Sequence, residues 1–138
     1  MALTLIIRKT LKLNKVHHIA IICSDYDRSK HFYTTILGLE IIKETYRMER
    51  KSYKLDLALN GNYVIELFSF PEPPKRPSRP EAQGLRHLAF ETDDLEGCIE
   101  HLSLNNVETE PIRIDEITGK RFTFFADPDD LPLEFYER

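Results

Sequence analysis

His17-His18-Ile19-Ala20-Ile21 returns at an offset of 69 as Arg86-His87-Leu88-Ala89-Phe90. Asp25 then falls on Asp94, and with one residue fewer in the second copy Val64-Ile65-Glu66-Leu67 falls on Pro132-Leu133-Glu134-Phe135. Histidine to glutamate is therefore 48 residues in the first half and 47 in the second. An internal repeat of this kind is one supersecondary unit used twice, each copy leaving an apolar face for the other to cover.

Working outward, residues 16–23 form a β-branched apolar run that stops at Ser24-Asp25, good helix N-caps. Phe32, Tyr33, Ile36 and Leu37 recur at helical spacing, and Gly38 follows where a left-handed cap belongs, so a helix is expected over 25–37. Residues 39–47, 52–59 and 63–70 read as strands, the last two joined by the hairpin signal Asn60-Gly61. The second copy repeats the order. Strand 85–92 leads to a helix capped at Asp93-Asp94 with Leu95, Cys98, Ile99 and Leu102 on one face, and strands follow at 107–114, 121–126 and 131–136. The expected class is α+β, two tandem βαβββ modules curving around a cleft. Module 1 spans 16–70, a stiff proline-rich linker 71–84, and module 2 85–138, with residues 1–15 a leading strand or arm.

The glutamates carry most of the chemical argument. Glu66 interrupts the apolar run 63–70, and Glu134 lies between Leu133 and Phe135. A carboxylate buried there needs a partner, water or a cation, since burying it unpaired costs several kcal/mol. Alternation puts Glu66 on the face of Val64 and Phe68, and Glu134 on that of Pro132 and Tyr136. If first and last strands of each module are neighbours, each histidine meets its glutamate. His18, Glu66, His87 and Glu134 are thus the candidate metal ligands, two imidazoles and two carboxylates that offset a divalent charge. Zn²⁺ or Ni²⁺ suits that set, with Co²⁺, Mn²⁺ and Fe²⁺ as alternatives. His17, adjacent to His18 and expected on the opposite strand face, pairs with Arg86 in the repeat and is set aside. His31 and His101 read as surface residues.

With 41% apolar and 30% charged residues, the 138-residue chain has the composition of a globular domain. A net charge of −4 offers no footprint for nucleic acid or an anionic membrane. Cys23 and Cys98 stand apart without CxxC spacing, as in a reducing compartment, so a cytoplasmic location is expected. The stretch 2–7 is too short for a signal sequence.

These residues together resemble the vicinal-oxygen-chelate superfamily, which includes glyoxalase I, methylmalonyl-CoA epimerase, fosfomycin-resistance proteins and extradiol dioxygenases. The resemblance rests on His18-Ile19-Ala20-Ile21 with Asp25, Phe32-Tyr33, Leu37-Gly38, Val64-Ile65-Glu66-Leu67, His87-Leu88-Ala89-Phe90 and Asp127-Pro128-Asp129 before Leu133-Glu134. Residues 63–90 resemble its YaeR-like branch. The resemblance implies paired modules around a divalent cation, commonly in a homodimer, acting on a small-molecule substrate. The His, Glu, His, Glu set is similar to that of bacterial glyoxalase I and implies lyase or isomerase chemistry. In that chemistry the cation acts as a Lewis acid, an enediolate forms, and Glu66 or Glu134 moves the proton. An iron-dependent dioxygenase, or a binding or resistance protein of the same fold, is the alternative. Where glyoxalase I has an arginine and an asparagine for glutathione, this chain has Ile22 and Phe70; Asp130 replaces the glycine after Asp-Pro-Asp. Arg47, Arg76, Arg79 and Arg121 are candidates for a substrate carboxylate, and Phe122, Phe124 and Phe125 for the cleft lining.

Overall fold

The computed structural model describes residues 10–138. The expected leading strand lies largely outside the described residues; residues 10–18 form an exposed arm without regular structure. Module 1 then runs β1 (Ile19–Cys23), α1 (Tyr26–His31), β2 (Glu40–Arg47), β3 (Ser52–Leu59) and β4 (Asn62–Ser69). Module 2 runs β5 (Leu88–Thr92), α2 (Leu95–Leu104), β6 (Arg113–Ile114), β7 (Arg121–Ala126) and β8 (Pro132–Glu137). The βαβββ order is present twice, in two four-stranded sheets ordered β1-β4-β3-β2 and β5-β8-β7-β6. First and last strands are parallel neighbours in each sheet, and the other pairs are antiparallel.

Local chemistry accounts for the elements and for two departures from expectation. Asp25 and Asp94 cap α1 and α2 by accepting from the amides of Arg28 and Gly97. The first helix does not stay α-helical to residue 37; it widens into a π-helical turn over Phe32–Ile36, closed by the Leu37 amide on the Phe32 carbonyl. Thr34 donates its hydroxyl to the Lys30 carbonyl at 2.6 Å, which competes with the regular ladder and bends a helix. Residues 107–114 hold only the two-residue β6, because Pro111 has no amide to give to a ladder. The Asn60-Gly61 hairpin has positive φ at both residues (50° and 80°), as a type I′ turn needs.

Alternation divides each sheet. Leu55, Leu57, Ile65 and Leu67 of module 1 and Phe125, Leu133 and Phe135 of module 2 enter one core, joined by Phe32, Tyr33, Leu95 and Leu102. Val64, Glu66 and Phe68 lie on the opposite, half-buried face of β4. Cys23 belongs to the core, where burial pushes its thiol up to about 11 and keeps it neutral. Cys23 and Cys98 are both free thiols, and among the described residues no helix is long and apolar enough to cross a membrane.

The modules are locked by the Asp127-Pro128-Asp129 turn. Tyr33 donates to buried Asp127 at 2.6 Å, and Ser24 donates its amide at 2.9 Å and its hydroxyl to Asp129. The amides of Asp129 and Leu131 also point at Asp127, and Asp130 takes the left-handed conformation (φ 64°) expected of the residue replacing glycine. Burial holds the Asp127 carboxyl above its usual range, against the opposing pull of the Tyr33 hydroxyl and the two amides. A raised folded-state pKa contributes stability below the unfolded carboxylate's range and loses it as pH rises through the folded value. Tyr33→Phe deletes a donor to the ionised form. Urea melts should show a loss of about 1–3 kcal/mol at neutral pH, shrinking at mildly acidic pH. An equal loss at both would contradict this account.

Candidate metal centre

Both candidate histidines sit at the entrance to a first strand, one residue before Ile19 and one before Leu88. Both glutamates sit in the last strand, in the same register: Glu66 is opposite Ala20 and Glu134 opposite Ala89. Parallel pairing therefore brings His18 Nε2 to 3.6 Å from Glu66 Oε2, and His87 Nε2 to 3.9 Å from Glu134 Oε2. All four side chains are at most about one-third exposed, with the glutamates at 14% and 12%.

These separations fit a shared cation. Two ligand atoms each about 2.1 Å from one ion stand roughly 3.4 Å apart at the tetrahedral angle, so the pairs need little adjustment. Each module thus brings together one of the two candidate histidine–glutamate pairs. The two halves do not meet within one chain: among the described residues no group of three or more His, Cys, Asp or Glu side chains is gathered to hold a metal. The reason lies in the packing. The core takes up one face of each sheet, and Glu66 points to the other face of its own sheet.

The halves differ in what surrounds them. In module 1, Tyr63 Oη lies 2.6 Å from Asp56 and 2.9 Å from Glu66, sharing one proton between two carboxylates. Lys54 Nζ stands 3.4 Å from Asp56 and 3.6 Å from Glu66. Burial first, then these carboxylates, hold the Tyr63 hydroxyl far above the ordinary phenol range. Module 2 has Phe122 and Phe124 where module 1 has Lys54 and Asp56, for Lys54 and Phe122 lie opposite Phe68 and Tyr136, and Asp56 and Phe124 opposite the two glutamates. His87 meets Phe124 edge-on, with ring centroids 5.0 Å apart. A signal for Asp56 was present in the sequence, since residues 54–57 alternate as KLDL and the hairpin carries Asp56 across from Glu66.

His17 requires a correction. Its ring is not turned away from His18: both rings lie 5.2 Å from Tyr63, and their Nδ1 atoms are 2.7 Å apart. Strand alternation does not govern either residue, because β1 begins only at Ile19. His31 and His101 are exposed; His101 Nε2 lies 2.7 Å from the Ile36 carbonyl.

The arginines separate into three settings. Arg121 is tied to Glu137 at 2.9 Å and to Glu96. Arg47 lies over Phe68 and Phe70, 4.8 and 5.7 Å from their ring centroids, and donates to Ser52. Arg76 and Arg79 line a groove of about 370 Å³ beside His87, together with Arg86 and Arg113, which the sequence did not single out. Phe124 and Phe125 line the same groove, whereas Phe122 stacks on Tyr136. Of the two positions facing glutathione in glyoxalase I, Ile22 is exposed and Phe70 stacks on Phe68.

His17 and His18 can be told apart by metal affinity, measured by competition with a chromophoric chelator. His18→Ala should abolish retention of Zn²⁺ or Ni²⁺ on dialysis, whereas His17→Ala, acting only through the neighbouring ring, should cost at most about 10–100-fold. The reverse ranking would make His17 the ligand.

The model of the Glyoxalase/Bleomycin resistance protein/Dioxygenase superfamily matches residues 15–135. YwkD of Bacillus subtilis (strain 168) is 65% identical over 126 residues, covering 91% of this chain and 98% of that protein. YaeR of Escherichia coli (strain K12) is 63% identical over 128 residues, covering 93% and 99%. The crystal structure of the glyoxalase family protein from Enterococcus faecalis superposes with a TM-score of 0.82 at 48% identity, covering 89% of this chain and 97% of that one. With its repeat, its two parallel-edged sheets and a match over most of its length, the chain belongs to the Glyoxalase/Bleomycin resistance protein/Dioxygenase superfamily.

Proposed function

We propose that this chain is a divalent-metal-dependent lyase or isomerase of the glyoxalase I type, acting on a small oxygenated substrate. The observation that carries the reading is the repeated half-site, one histidine and one glutamate at 3.6 Å in module 1 and at 3.9 Å in module 2. We further propose that the protein works as a homodimer in which module 1 of one copy faces module 2 of the other. Two such copies make two complete His, Glu, His, Glu sets. Leu11, Leu13 and Val16, about 80% exposed on the arm that leads into His18, support a surface that a second copy covers.

When bound, the cation supplies Lewis acidity to a carbonyl or hydroxyl oxygen of the substrate. The protein's own groups divide the remaining work. His18 and His87 would supply nitrogen donors to the metal. Glu66 is held by the Tyr63 hydroxyl at 2.9 Å and has Lys54 Nζ at 3.6 Å, which fixes its position. Among the described residues Glu134 has only His87 within ion-pair reach and no hydrogen bond, and it faces the aromatic surface of Phe124. Glu134, with fewer partners holding it, is therefore the carboxylate that would take a proton from the carbon next to the reacting oxygen.

Mixed dimers test the arrangement. One copy carries His18→Ala with Glu66→Gln, the other His87→Ala with Glu134→Gln. Each homodimer should bind no Zn²⁺ or Ni²⁺, and the mixed dimer should regain one ion and proton exchange on small 2-hydroxy or 2-keto substrates. Failure of the mixture to regain metal, with wild-type protein loading normally, would rule out sites shared between copies. Normal metal content in both variants would rule out the ligand set.

A further inference from the structure

The groove beside His87 is built from the proline-rich linker on one side and the aromatic face of module 2 on the other. Its volume, about 370 Å³, suits a small metabolite. Four guanidinium groups border it, and three of them have a carboxylate within 4.0 Å. Arg79 is 3.5 Å from Asp130, Arg86 3.8 Å from Glu81, and Arg113 3.0 Å from Glu110. Arg76 differs: among the described residues no carboxylate lies within 4.0 Å of it.

Arg76 is nevertheless held firmly. Its Nε donates to Ser78 Oγ at 2.7 Å and its Nη2 to the Leu85 carbonyl at 2.8 Å. Ser78 is buried, and its own hydroxyl donates to the Asp130 carbonyl at 2.6 Å, so its remaining lone pairs face the guanidinium. Leu85 is two residues from His87, which ties Arg76 to the backbone that carries a candidate ligand. Pro73, Pro74, Pro77 and Pro80 stiffen the segment, so little conformational freedom remains to be lost on binding. Two neutral acceptors occupy two of the five N–H donors and leave the positive charge uncompensated. A pinned, half-buried cation with donors to spare, in a groove next to a histidine, is arranged for an anion that arrives with the ligand.

We propose that the substrate carries an anionic group, phosphate or carboxylate, at the end remote from its reacting oxygens, and that Arg76 is the specificity-determining residue that binds it. This inference rests on the metal-dependent reading above for the location of the reacting end. Phe124 forms the apolar floor of the groove, with Arg86 and Arg113 set 5.9 and 5.2 Å from its ring centroid.

Calorimetric titration of the metal-loaded protein with three 2-hydroxy acids tests this: 3-phosphoglycerate ends in phosphate, malate in carboxylate and glycerate in a neutral hydroxyl. At least one charged-end acid should bind about tenfold or more tightly than glycerate, and the better of the two identifies the anion. Arg76→Gln should lower that affinity about 10–100-fold without changing glycerate binding, Arg76→Lys should restore part of it, and Arg28→Gln, at an exposed arginine of α1, should have no effect. Equal binding of all three acids, binding of none, or discrimination that survives Arg76→Gln would overturn the assignment. Repeating the titration on metal-stripped protein separates the two readings. Discrimination through Arg76 in metal-stripped protein that fails to take Zn²⁺ or Ni²⁺ up again would refute the metal reading alone, and a metal-loaded protein without discrimination would refute this one alone.

Discussion

In each module the first strand runs parallel to the last, and the rest of the molecule is organised by that pairing. Parallel neighbours cannot be joined by a tight turn; the chain must leave, build other elements and return. Here the intervening helix, two strands and hairpin separate histidine from glutamate by 48 or 47 residues, and the pairing brings them within 4 Å. The register is decisive. A slip of one residue between β1 and β4 would send Glu66 into the core and turn Leu67 to the open face. Buried Ile65 and Leu67 oppose that slip, so the apolar core is what holds the carboxylate in place.

One backbone used twice has acquired two chemically different faces. Module 1 surrounds its glutamate with Lys54, Asp56 and Tyr63, a polar and titratable setting. Module 2 sets Phe122 and Phe124 at the positions of Lys54 and Asp56 and opens onto the groove lined by arginines. A perfect repeat would bind a symmetric ligand. The divergence leaves one face polar and titratable and the other aromatic and bordered by arginines. The linker takes part in this division, because Ser78 and Arg76 form a wall of the groove as well as connecting the modules.

Much of this was legible in the residues. The repeat disclosed both modules, the caps at Asp25 and Asp94 located both helices, and Asn60-Gly61 located the central hairpin, each through short-range rules. Short-range rules failed where a local competitor intervened: Thr34 widened the first helix, and Pro111 kept residues 107–112 out of the sheet. They also failed for His17, whose orientation was inferred from a strand that starts two residues later. Arg86 and Arg113 could not be recognised because their importance depends on Phe124, which lies 38 and 11 residues away along the chain and beneath both of them in the fold.

Sequence alone determined the element order, the duplication and the identity of the paired histidines and glutamates, because hydrophobic periodicity and residue chemistry are properties of neighbours along the chain. Only the tertiary structure decided that each histidine reaches the glutamate of its own module and that, among the described residues, the two pairs form no joint cluster and Arg76 is fixed with no carboxylate beside it. Those facts depend on which sheet faces the shared core consumes and on where the linker comes to rest. Both are set by packing between residues far apart in the chain, which no local pattern encodes.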